Sequence, residues 1–158
     1  MRKYCVIGNP VGHSKSPQLF ERYSGERGYV YGKDVEYLRN EIKKGKKVYF
    51  YDNGVRNAVL SNFAPLDFRN DVGALWENLM VSERVKHNAY NGSYAQLYFW
   101  RTHDQKEIDL VEIEDGMMRT YEFKWNPKKT PSQPAIFANA YPEASFSAVT
   151  PNVLWSFV

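Results

Sequence analysis

The stretch Glu107–Trp125, EIDLVEIEDGMMRTYEFKW, decides how this chain is read. Two runs rich in β-formers flank Asp115-Gly116, the dipeptide that a two-residue type I′ hairpin turn favours because both central residues need positive φ. Glu114 then faces Met117, and every later pair keeps the same sum of residue numbers. Asp109 is expected opposite Glu122, and Glu107 opposite Lys124. With side chains alternating at period 2, Glu107, Asp109, Glu122 and Lys124 share an ionic face, while Tyr121, Phe123 and Trp125 share a core face.

Two carboxylates directly opposed on a hairpin have Cβ atoms about 4.5–5.5 Å apart and repel, so stability alone does not favour them. A hard divalent cation such as Mg²⁺ would compensate. It takes carboxylate oxygens, keeps several waters, and can activate one of them against a phosphodiester. Lys124 on the same face would position that water or stabilise charge developing on phosphate. The plain alternative is a solvated face with a Glu107–Lys124 ion pair, and such pairs contribute little.

Working outward, Asp71 is expected to cap a helix over about Val72 to His87, with Val72, Leu75, Trp76, Leu79 and Met80 at helical spacing. Asn91-Gly92 marks a turn. Strands follow at Gln96 to Trp100, Glu107 to Ile113 and Arg119 to Trp125. Pro127, Pro131 and Pro134 stiffen a loop before a short helix over Ala135 to Ala140 and a strand over Ser145 to Val149. From residue 72 the order is helix, three strands, helix, strand, an α/β arrangement.

Upstream, Lys47-Val-Tyr-Phe-Tyr51 reads as a buried strand ending in a turn at Asp52-Asn53-Gly54, with base stacking by its aromatics as the minor reading. Tyr4 to Ile7 reads as a short strand, and Ser16-Pro17 as the start of a helix over Gln18 to Tyr23. Gly25, Gly28 and Gly32 place a boundary between about 25 and 35.

The chain has 158 residues and 25% charged residues, which fits one soluble domain. A formal charge of +3 permits nucleic acid as a partner without requiring it, although cations gather at Lys43 to Lys47 and at Lys128-Lys129. A single cysteine, Cys5, excludes an intrachain disulfide framework. No apolar run approaches the roughly 20 residues of a membrane span, and no signal peptide is read, so a cytoplasmic protein without a membrane partner is expected. His13, His87 and His103 are too scattered for a zinc site. Trp100, Arg101 and His103 precede the hairpin and are candidates for lining its site. No G-x-x-x-x-G-K-[ST] loop occurs, so ATP is not expected to bind.

Glu77 in GALWENLMVSERV, Asp109 in QKEIDLVEI, and Glu122 with Lys124 in RTYEFKWNPKK resemble the motif residues of the PD-(D/E)XK nuclease superfamily, whose core order is αβββαβ. More closely, YLRNEIKKGKKVYFYDNGVRNAVL, GALWENLMVSERV and YEFKWNPKK resemble the C-terminal domain of a family of bacterial and archaeal AAA+-type ATPases, over residues 35–158. The resemblance implies a mixed sheet flanked by helices. It also implies metal ligands at Asp109, Glu122 and Glu77, catalytic roles for Lys124, Glu122 and Asp109, and Mg²⁺ or Mn²⁺ as cofactor. Glu83, within the helix's apolar stripe, is a second candidate for the helix glutamate. Nucleic acid and an ATPase module are the implied partners. Some domains of this superfamily bind without cutting, so a non-catalytic nucleic-acid or protein-binding module stands beside phosphodiester hydrolysis.

The head, MRKYCVIGNPVGHSKSPQLF, resembles the N-terminus of shikimate dehydrogenase, where Ser14 and Ser16 would match the serines that bind the shikimate carboxylate. It covers about residues 1–20 and is taken as a fragment spanning 1–30. No catalytic-lysine segment and no Gly-rich nucleotide turn follow it, so NADP is not expected to bind.

Overall fold

The computed structural model describes the backbone of Tyr4–Gly8 and residues 46–158 apart from His103, with side chains from Lys47 onward. Strand β1 (Tyr4–Gly8) pairs antiparallel with β2 (Lys46–Phe50), Tyr4 opposite Phe50. The expected helix after Ser16, the glycine-rich boundary, Ser14 and Ser16, and Lys43 lie outside the described residues.

Asp52-Asn53-Gly54 does not form the expected turn. It opens helix α1 (Asn53–Val59), with the Asp52 carboxylate accepting the Val55 amide at 2.9 Å. A short carboxylate bonds a nearby amide in a turn and at a helix N-cap alike, so this sequence signal serves both.

Helix α2 (Val72–Tyr90) runs about one turn beyond the expected His87. Asp71 stands at its N-cap position but makes no side-chain cap bond. Its carboxylate is taken instead by Arg69 at 2.8 Å and Arg56 at 2.9 Å. Those two guanidiniums, Arg69 foremost, hold its pKa well below the usual carboxylate range.

Strands β3 (Gln96–Arg101), β4 (Glu107–Glu114), β5 (Met117–Phe123) and β6 (Ser145–Val149) form one four-stranded sheet in that order. The first three are antiparallel. β5 and β6 are parallel, and helix α3 (Ala135–Ala140) lies in the crossover that such a pair requires. The helix, three strands, helix, strand order therefore stands, with helices flanking a mixed sheet. A terminal helix α4 (Leu154–Phe157) follows.

The β4–β5 turn is as read: Asp115 has φ 50° and Gly116 φ 78°, and Leu110 to Glu114 face Tyr121 to Met117 in the expected register. Tyr121 and Phe123 pack edge-on against Phe157, while Trp125 packs edge-on against Trp76.

Two apolar clusters sandwich the sheet. On the α2 side Trp76, Met80 and Val81 meet Phe99, Leu110, Phe123 and Val149; on the α3 side Phe137 meets Trp100, Ile108 and Val111. Full burial of side chains such as Met80 and Val81 contributes about 1.5–3 kcal/mol each. A buried ion pair fixes α2 further. Arg84 makes a two-pronged contact to Glu112 at 2.6 and 2.7 Å and donates to the Phe157 carbonyl at 2.7 Å. Glu77 lies two turns before Arg84, so both project toward the sheet from the same stripe of the helix.

Among the described residues no helix is long and apolar enough to cross a membrane.

Candidate metal centre

The site begins with an irregularity in β4. Tyr98 pairs with Val111 and Trp100 pairs with Ile108, so Asp109 and Leu110 together oppose the single residue Phe99. This is a β-bulge, which breaks the two-residue alternation and re-aims side chains. Asp109, 7% exposed, is consequently turned toward β5, where its Oδ2 accepts the Phe123 amide at 2.9 Å. Its other oxygen, Oδ1, lies 3.5 Å from Lys47 Nζ.

Docking of β2 on α2 brings the remaining groups in. The buried Asn78 amide accepts from the Phe50 N–H at 2.8 Å and donates to the Phe50 carbonyl at 2.9 Å, as a neighbouring strand would. The end of β2 is thereby tied to α2, one residue from Glu77. In β2, Val48 is exposed while Lys47 and Tyr49 turn inward. Tyr49 Oη donates to Glu77 Oε1 at 2.6 Å, and Lys47 Nζ lies 2.9 Å from the same oxygen. Lys47 also forms an ion pair with Glu107 Oε1.

Carboxylate oxygens of Glu77, Glu107 and Asp109 all lie within 4.8 Å of one another, close enough to share one cation. The donors are hard oxygens, the set that suits Mg²⁺ or Mn²⁺ rather than zinc or copper. One ammonium stands against three carboxylates. Burial first, then the charges of Glu77 and Glu122, push the Asp109 carboxyl up to about 7 despite the Phe123 amide and Lys47. Burial alone would lower Lys47, but Glu77, Glu107 and Asp109 outweigh it and hold the ammonium up at about 12. Tyr49, buried beside Glu77, stays a neutral donor, its pKa displaced well upward.

The residues expected at the site therefore fall into two adjoining groups. Asp109 and Glu77 converge, joined by Glu107. Glu122 lies instead against Lys124, whose Nζ is 2.6 Å from Glu122 Oε1. The expected single ionic row is broken by the bulge, and Glu107 pairs with Lys47 and, at 3.5 Å, with Arg101 rather than with Lys124. The groups still feel each other: Glu122 helps raise Asp109, while Asp109 and Glu77 help hold Lys124 up after burial and its bond to Glu122 are counted. Glu83, the second helix candidate, bonds Lys86 on its own helix at 2.5 Å. Arg101 reaches the site through Glu107, and His103 lies outside the described residues.

Lys47 and Tyr49 as site residues, and Glu107 as a ligand, escaped the sequence reading. One signal for the first two was present. A lysine that alternates in phase with a buried tyrosine on a strand must have its charge answered inside.

The family model described as a domain of unknown function (DUF4143) matches residues 72–154, more than half of the chain. The match spans α2 through β6, and with them Glu77, Glu107, Asp109, Glu122 and Lys124. Comparison with curated proteins and with solved structures finds no match.

Proposed function

The chain belongs to the DUF4143 family, and on that premise we propose that it is a nuclease-like domain that hydrolyses phosphodiester bonds with a divalent metal ion. Domains of this family typically stand at the C-terminus of AAA-type ATPases, which makes an ATPase module its expected partner. The observation that carries the reading is the convergence of Glu77, Glu107 and Asp109 at a bulge of a helix-flanked mixed sheet. The motif resemblance of Asp109, Glu122 and Lys124 to the PD-(D/E)XK nucleases supports it.

Glu77, Glu107 and Asp109 would hold the cation. Bound Mg²⁺ or Mn²⁺ would supply positive charge at a phosphoryl oxygen and make water a better nucleophile at neutral pH. Tyr49 fixes the Glu77 carboxylate by its short hydrogen bond, and the Phe123 amide fixes Asp109. Lys124 offers a positive charge to the phosphate, with Glu122 orienting its ammonium. The test is incubation of DNA and of RNA with the protein and Mg²⁺ or Mn²⁺. Cleavage should require metal and fall to background in Lys124→Ala and Asp109→Asn; cleavage surviving either change excludes this assignment.

Because Asp109 titrates near pH 7 and must give up its proton to bind a cation, metal affinity should rise with pH up to about 7 and level off above it. Calorimetric Mn²⁺ titrations between about pH 5.5 and 8.5 measure this. An affinity independent of pH would remove Asp109 from the ligand set.

The second reading, a non-catalytic binding module, is favoured by one observation: the cluster already has an internal cation in Lys47. A melting temperature unmoved by Mn²⁺ would support it, since a ligand confined to the folded state must stabilise that state.

A further inference from the structure

We propose that Lys47 is a displaceable counter-ion of this site: the three carboxylates hold either its ammonium or a divalent metal ion, not both. The inference rests on the metal reading above and concerns a residue outside the span that the family model matches.

An ammonium has three hydrogens to donate, and Lys47 Nζ faces three acceptors, Glu77 Oε1, Glu107 Oε1 and Asp109 Oδ1. These oxygens belong to the same three carboxylates that could hold a metal ion. A divalent ion bonds each oxygen at about 2.0–2.2 Å, inside the positions that the ammonium takes up. Two positive centres packed among the same oxygens would also repel. Lys47 must therefore leave as metal enters.

The side chain is built to leave. It has four methylenes, rises from a strand whose backbone is held independently by Asn78, and is about one-fifth exposed, so its head can swing outward without unseating β2. Without metal, the ammonium neutralises part of an acidic cluster that would otherwise repel itself. With metal, it becomes a free cation at the rim of the site. In the free protein the bonds made by Lys47 lower the apparent metal affinity, because a competing cation must be expelled first.

Two measurements test the exchange. The first is Mn²⁺ binding to wild type and to Lys47→Met, followed by the electron paramagnetic resonance signal of free Mn²⁺. Lys47→Met should bind at least tenfold more tightly. The second uses the unaltered protein, so it stands whether or not the variant folds: the lysine side chains are labelled with ¹⁵N and the Lys47 ammonium resonance is followed by NMR as Mg²⁺ is added. The resonance should be protected from solvent without Mg²⁺ and lose that protection at saturation. Wild-type binding that Lys47→Met leaves equal or weakens, or an ammonium that stays protected at saturating Mg²⁺, overturns the displacement alone. Absence of binding by both chains overturns the metal reading, and the displacement with it.

Discussion

Arg84→Ala should destabilise the protein by about 3 kcal/mol while leaving the acidic site intact. Glu112 is fully buried, and burial by itself would raise its pKa; the bonds and charge of Arg84, together with bonds from Asn88 and Arg119, outweigh that and hold its pKa below the ordinary carboxylate value. Removing one member of a buried pair typically costs about 3–5 kcal/mol, because the other charge is left where water cannot reach it. Arg119, 3.2 Å from Glu112, and Asn88, at 3.4 Å, retain part of the compensation, so the low end is expected. Arg84 also stacks over Phe157, 5.2 Å from the ring centre, and Tyr121, so the truncation loosens α4 as well. Urea denaturation of the single variant measures the loss. The double variant Arg84→Met/Glu112→Leu should regain most of it, since paired replacement by apolar residues leaves no buried charge. A single-variant loss below about 1 kcal/mol, or a double variant no better than the single, contradicts this seating of α2 by a buried pair.

The second large effect is Asp109→Asn, which should cut metal-dependent cleavage by about 10²–10³-fold and yet stabilise the metal-free protein at neutral pH. Loss of several kcal/mol of charge stabilisation in the transition state corresponds to about 10²–10³-fold in rate. The stability effect runs the other way. In the folded chain Asp109 keeps its proton up to about pH 7, against an ordinary carboxyl value of 3.8. Below about pH 4 both states hold the proton and the group contributes nothing to the pH slope. Between about pH 4 and 7 the folded state binds more protons than the unfolded, so stability falls as pH rises, by about 2–4 kcal/mol across the window. Above that window the cost is constant. The amide of the variant still has an oxygen to accept the Phe123 N–H but has nothing to ionise. The stability of Asp109→Asn relative to wild type should therefore grow from about pH 4 to pH 7 and then stay flat, reaching about 1–3 kcal/mol because the amide cannot answer Lys47 as a carboxylate does. Chemical denaturation at several pH values without divalent ions reads this directly. A variant less stable than wild type at about pH 8 would mean that Asp109 is a structural anion. A functional carboxylate that costs stability is the expected trade.

The parts of the fold set by local chemistry were legible in the sequence. Asp115-Gly116 fixed the hairpin register because only residues tolerant of positive φ fit its turn, and the spacing of Leu75, Trp76, Leu79 and Met80 marked the buried stripe of α2. Ser145 to Val149 and Ala135 to Ala140 emerged with their bounds as read. Asp52-Asn53-Gly54 was ambiguous for a physical reason: the same side-chain bond that closes a turn also starts a helix.

The site was harder. Asp109 and Glu77 lie in one cluster, but the bulge at Asp109-Leu110 has no glycine or proline to announce it, and a one-residue slip in alternation sends neighbouring charges to different partners. Glu122 and Lys124 consequently bond each other while Glu107 joins the cluster. Lys47 reaches carboxylates thirty and more residues away through the docking of β2 on α2, and that docking depends on Asn78 standing in for a strand, which no periodicity records.

Whether the three carboxylates hold a metal ion is answered most simply by a crystal structure of the protein soaked in Mn²⁺, with diffraction recorded at a wavelength where manganese scatters anomalously. One anomalous peak is expected about 2.1–2.2 Å from carboxylate oxygens of Glu77, Glu107 and Asp109. Saturating Mn²⁺ with no peak at those three residues, the Lys47 ammonium still seated among them, would contradict a metal centre there.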